Sequence, residues 1–134
     1  MTGIDTNVLV RFLTADDPEQ FEIAKSVIEE VCSDASPGVI SVVVVCELTW
    51  VLDRAFGLPR NDVVGVLRNL LSRSNLVIER RDAVHAAVLD FETGPAGFSD
   101  YLLAQIHVDL GATQTVTFDK KASRHKHFKL LGQG

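Results

Sequence analysis

Four acidic residues stand where this chain needs apolar or turn residues. Asp5 interrupts the apolar opening stretch MTGIDTNVLVRFL and is followed at once by Thr6 and Asn7. Glu47 sits inside VVVVCELTWVL, Asp100 opens SDYLLAQ and Asp119 closes TVTFD. Each has an ordinary structural explanation: a helix cap, a turn residue, a charge favoured by a helix dipole. Four together strain those explanations. Two carboxylates ~4 Å apart repel by roughly 4 kcal/mol at an effective dielectric near 20, against a total domain stability of about 5–15 kcal/mol. A cluster of ionised acids therefore requires a cation or takes up protons. Oxygen-only donors favour a hard ion, Mg²⁺ or Mn²⁺, which keeps several waters and binds substrate phosphate. The chemistry this suits is phosphodiester hydrolysis.

The elements that must position these acids can be read from punctuation and period. Asp5 follows a short strand, GI. Asp17 caps a helix with Pro18 at its first position, and FEIAKSVIEEV continues it with Phe21, Ala24, Val27, Ile28 and Val31 on one face. VIS (39–41) is a strand whose Ser41 caps the next element. The run VVVVCELTWVLDRAF has strand-like valines, but Val44, Leu48, Val51, Leu52 and Ala55 recur at helical spacing and Gly57 ends it, so a helix is expected. On that helix Glu47 has Val43, Val44, Trp50 and Val51 as neighbours, a costly place for a charge unless a distant partner meets it. RNDVVGVLRNLL and RDAVHAAVLDFE read as helices around a strand LVIE (76–79). A last helix comes next, capped by Ser99 and stopped by Gly111; TQTVT (113–117) and FKLL (128–131) are strands. Short strands alternating with helices predict an α/β fold with a mainly parallel, roughly five-stranded sheet in one domain spanning 1–134. In such sheets ligands bind beyond the carboxyl ends of strands, where Asp5, Asp100 and Asp119 fall.

Composition is that of a globular protein, with 46% hydrophobic and 23% charged residues among 134. No apolar run approaches the ~20 residues of a membrane span and no signal peptide is evident, so a cytoplasmic location is expected. Cys32 and Cys46 read as buried thiols, Trp50 and most phenylalanines as core or subunit interface, His85 and His107 as ordinary helix positions. The net charge of −5 hides an asymmetry: residues 1–34 hold eight acids, whereas 120–129 (KKASRHKHFK) holds five Lys and Arg and no acid. That tail suits a phosphate-binding edge.

With the acids and their settings in view, DTNVLVRFL, VVCELTWVL, FSDYLLA and TVTFDKKA resemble, in order and spacing, the four acidic motifs of PIN domains, specifically the VapC-type toxins of bacterial toxin–antitoxin pairs. The resemblance covers essentially the whole chain. It implies a three-layer α/β/α fold and a metal-dependent endoribonuclease, usually homodimeric and held inactive by a cognate antitoxin. It makes Asp5, Asp100 and Asp119 the metal-site acids. Glu47 holds or orients the attacking water, and Thr6, Asn7, Ser99 and Thr117 are supporting polar groups. Its substrate is structured RNA, transfer or ribosomal. Water activated by the ion attacks in line, leaving 5′-phosphate and 3′-hydroxyl ends. Because the protein is acidic overall, a local basic rim is needed, with Arg11, Lys120, Lys121 and Arg124 as its candidates. The alternatives are a catalytically silent PIN-like module that binds RNA or protein, a metal-free ribonuclease using His125 and His127, and a phosphoryl-transfer domain. The last fits poorly, since Asn7 stands where such phosphatases need a second aspartate.

Overall fold

The structure is a computed structural model and describes residues 1–132. Its backbone divides into two compact units, Met1–Arg81 and Asp82–Gly134. The five described strands all pair in parallel, three in the first unit and two in the second, as expected for the α/β class.

In the first unit the chain runs β1 (Thr2–Gly3), α1 (Thr6–Thr14), α2 (Pro18–Ser26), β2 (Gly38–Ile40), α3 (Val42–Arg54), α4 (Arg60–Ser72) and β3 (Leu76–Ile78). The strands lie in the order β1-β2-β3, with Gly3 opposite Val39 and Ile40 opposite Ile78. Gly38 is required in the middle strand, because a Cβ there would stand 2.8 Å from the Cys32 sulfur and 2.9 Å from Leu76. Leu9, Ile28, Ile40, Leu48, Leu52, Leu67 and Leu70 are fully buried.

The ambiguous valine-rich stretch is helical throughout. Ser41 accepts the Val44 N–H at 3.2 Å, and Val45, Leu48 and Leu52 turn inward at helical spacing. The stop is set by Gly57, at φ 62°, where the Leu58 N–H reaches the Leu52 carbonyl at 3.0 Å. Asp17 caps α2 by accepting the Gln20 N–H, with Pro18 at the first position. Beyond Ser26 the helix widens into a π turn, Val27–Val31, closed by the Cys32 N–H on the Val27 carbonyl. That shift of phase corrects one expectation: Cys32 is buried, while Val31, placed on the inner face by a regular 3.6-residue period, is exposed. Cys46 is half-buried rather than buried.

The second unit comprises α5 (Arg81–Thr93), α6 (Phe98–Asp109), β4 (Thr115–Thr117), a 3₁₀ turn (Ala122–Arg124) and β5 (Phe128–Leu130). β4 and β5 pair with Thr117 opposite Leu130. Its core holds Val84, Ala87, Val88, Phe91, Phe98, Tyr101 and Leu102, with the Phe91 and Phe98 rings edge to face at 6.0 Å. Gly94 lets the chain pass Tyr101, whose hydroxyl accepts the Ala96 N–H at 3.1 Å and fixes the loop that launches α6. Among the described residues no helix is long and apolar enough to cross a membrane.

Candidate active site

Each unit carries one pair of the four acids. In the first, the carboxyl edge of the three-stranded sheet feeds two helix N-termini. Asp5, just after β1, is the N-cap of α1 and accepts the Thr6 N–H at 2.7 Å through Oδ1. Its side chain is exposed and, among the described residues, Oδ2 has no partner. Glu47 lies in the second turn of α3. Asp5, Thr6, Asn7, Val10, Arg11, Glu47, Val51 and Phe56 line one open cleft of about 490 Å³. Glu47 needs no distant partner to offset burial, because its face of α3, including Val43 and Trp50, is exposed. Trp50 is therefore neither core nor a covered interface within this chain, being 61% exposed.

Thr6 is the unusual member. It is only 6% exposed, and its hydroxyl is the buried polar side-chain atom that has no hydrogen-bond partner among the described residues. A buried hydroxyl left this way costs about 1–3 kcal/mol. Asn7 is exposed beside it. Arg11 also lines the cleft, but its guanidinium is engaged: it grips both oxygens of Asp16 at 2.9 and 2.7 Å and donates to Gln20 at 2.6 Å. The Thr14 hydroxyl, and after it the Arg11 guanidinium, hold the Asp16 carboxyl below the usual range.

In the second unit Asp100 occupies the first turn of α6, where its Oδ2 accepts the Gly97 N–H at 3.2 Å. The N-cap is Gly97 and not the expected Ser99, which lies exposed in the first turn; Asp100, at the third helical position, reaches back to the cap residue's N–H as in a capping box. Asp119 follows β4. Its Oδ1 accepts the Lys121 and Ala122 N–H groups at 2.8 and 3.1 Å, and its own N–H donates to the Thr117 hydroxyl at 3.0 Å. The Thr117 hydroxyl thus bonds the backbone of Asp119 and not its carboxylate. Burial pushes the Asp100 carboxyl up, the Gly97 N–H works against it, and the charge of Asp119 adds to the rise. Lys120, Lys121 and Arg124 are all exposed on the turn beside Asp119.

These donors fit a divalent cation. All are carboxylate oxygens, and among the described residues none of the four acids forms an ion pair. Asp100 and Asp119 repel one another, a conflict that a cation relieves and an ammonium would satisfy less completely. Among the described residues, no three His, Cys, Asp or Glu side chains are grouped so as to hold a metal ion.

Two features escaped the sequence pattern. Glu79, just past β3, reaches the Val42 N–H at 2.9 Å and closes the N-terminus of α3 beside Ser41. An acid directly after a strand was the available signal. His125, a candidate acid or base, is committed elsewhere. Its Nε2 meets Asp90 at 3.0 Å and its Nδ1 accepts the His127 N–H at 3.3 Å, so both nitrogens are occupied.

The PIN domain family matches residues 4–127 of the chain, running through both units. No curated protein and no solved structure gives a match. The chain belongs to the PIN domain family, and its fold is of nuclease type.

Proposed function

We propose that this chain acts as one PIN domain and is a Mg²⁺- or Mn²⁺-dependent endoribonuclease, a VapC-type toxin held in check by a cognate antitoxin. The observation that carries this reading is the set of four carboxylates, each fixed by backbone or helix geometry yet, among the described residues, unpaired with any basic side chain, in a chain of nuclease-type fold. Asp5, Asp100 and Asp119 are the residues that would hold the ion. When bound, the ion lowers the pKa of water and offsets charge on the scissile phosphate. Glu47, exposed on the cleft wall, orients the attacking water and receives its proton. The Thr6 hydroxyl, buried and unpartnered among the described residues, donates to a phosphate oxygen, and Asn7 assists from the surface.

Thr117 steadies Asp119, and Ser99 lies next to Asp100 as a further polar contact. Lys120, Lys121 and Arg124 draw RNA toward a protein whose net charge is −5. Arg11 contributes by holding the start of α2 against α1 through Asp16 and Gln20, and reaches phosphate only by giving up those bonds. The substrate class is structured RNA, transfer or ribosomal, and the protein works as a cytoplasmic homodimer. Hydrolysis by an external nucleophile leaves 5′-phosphate and 3′-hydroxyl ends, which end-labelling and mass spectrometry of the fragments would register. Cyclic 2′,3′-phosphate ends would overturn the mechanism, because they require the RNA's own 2′-hydroxyl as nucleophile.

A further inference from the structure

Helix α3 leaves an unusual stripe in water. Val43, Glu47, Trp50 and Arg54 recur at i, i+4, i+7 and i+11 and all are exposed, Val43 at 64% and Trp50 at 61%. The Arg54 guanidinium lies 5.9 Å from the centre of the indole ring, and its acidic neighbour, Asp53, is a loose 3.8 Å contact between two largely exposed side chains. Residues three apart on a helix bring their Cβ atoms to about 5–6 Å, and long helical side chains lean toward the N-terminus. Trp50 thus lies one turn from Glu47, which with Val51 lines the cleft shared by Asp5 and Thr6.

We propose that Trp50 is a stacking platform for one unpaired nucleobase of the RNA, with Arg54 taking the adjoining phosphate. The choice of RNA as occupant rests on the ribonuclease reading above. A flat aromatic face beside a loosely held guanidinium is the pairing that binds single-stranded nucleic acid without regard to sequence. A second copy of the chain fits the stripe less well, since covering Trp50 would also cover Glu47, the acid that must stay open to water and phosphate. The consequence is a constraint on substrate. A base close to the cut bond must be free of its partner, so loops and single strands are accepted and continuous duplex is refused.

Trp50 is the sole tryptophan of the chain, so its fluorescence reports on this platform alone. Wild-type protein is titrated with a short single-stranded oligoribonucleotide and with the same sequence as a full duplex, once in EDTA and once in Ca²⁺. Saturable quenching by the single strand and none by the duplex is expected. Trp50→Ala should weaken binding of labelled single strand by roughly 5- to 150-fold in anisotropy and Trp50→Phe should retain most of it. Leu110→Ala, which trims an apolar side chain that is 70% exposed on the other unit, should change nothing. Absence of quenching in both buffers, or wild-type affinity in Trp50→Ala, overturns the proposal. So does conversion of a dimer to a monomer by Trp50→Ala with RNA affinity intact, which would give the stripe to a second copy. Binding is read without turnover, so the two readings fail separately. Quenching without any cleavage would sink the nuclease and leave the platform; metal-dependent cleavage with an unchanged KM in Trp50→Ala would do the reverse.

Discussion

Replacing Thr6 by valine should make the protein more stable and less able to use its cleft. Thr6 is the first residue of α1 and the cap is Asp5, so the hydroxyl performs no capping that valine would forfeit. Valine and threonine have similar helix propensities and the same branched shape. What changes is one buried hydroxyl, at 6% residue exposure and with no partner among the described residues. Its removal relieves a desolvation cost of about 1–3 kcal/mol. With a urea m-value of roughly 2 kcal/mol/M, the denaturation midpoint of the metal-free protein should rise by about 0.5–1.5 M. Thr6→Ser provides the control: it keeps the hydroxyl, loses a buried methyl and should lose about 0.5–1.5 kcal/mol. Cleavage by Thr6→Val should fall even though the protein is more stable, since the hydroxyl that was costly in the empty cleft is the one that meets the phosphate. A Thr6→Val midpoint at or below wild type would mean that the hydroxyl already has a partner in the free protein.

Two further outcomes concern the second unit. Gly94→Ala would place a methyl 1.8 Å from the Tyr101 hydroxyl and 2.7 Å from the ring carbon bearing it. It should destabilise by about 1–3 kcal/mol in urea denaturation and displace the loop ahead of Asp100, whereas Tyr101→Phe, losing only the bond to Ala96, should cost less. Half-buried His127 has its pKa lowered, first by burial, then by the charges of His125 and Lys126, with Asp90 opposing. The native state thus binds fewer protons than the unfolded one, and stability is lost as pH falls from the ordinary value of 6.5 toward the lower folded value. His127→Gln should flatten that acid decline in denaturation midpoints; an unchanged slope would remove His127 as its source.

Much of this was legible in residue pattern because the relevant physics is local. Asp17, Pro18 and Gln20 mark the start of α2, and Ser41 with inward Val45, Leu48 and Leu52 decides the valine-rich run as a helix. The positions of Asp5 and Asp119 after strands likewise come from short-range order. The exposure of Trp50 did not, since a helix that is apolar nearly all round has no polar stripe to reveal which side meets water. Val31 was misplaced because a single π turn shifts the phase of everything after it. Serine is a good cap, but the helix begins before Ser99, with Gly97 as its cap and Phe98 as its first residue. Arg11 counted as a free base because its partners, Asp16 and Gln20, meet it only after the chain turns between α1 and α2.

The most direct test of the central claim is cleavage of purified transfer and ribosomal RNA by antitoxin-free protein in Mg²⁺, in Mn²⁺ and in EDTA, with Asp5→Asn alongside. Cutting that requires the metal and that the substitution abolishes is expected, with fold retained by circular dichroism. Cutting that persists in EDTA, or that Asp5→Asn leaves intact, would contradict it.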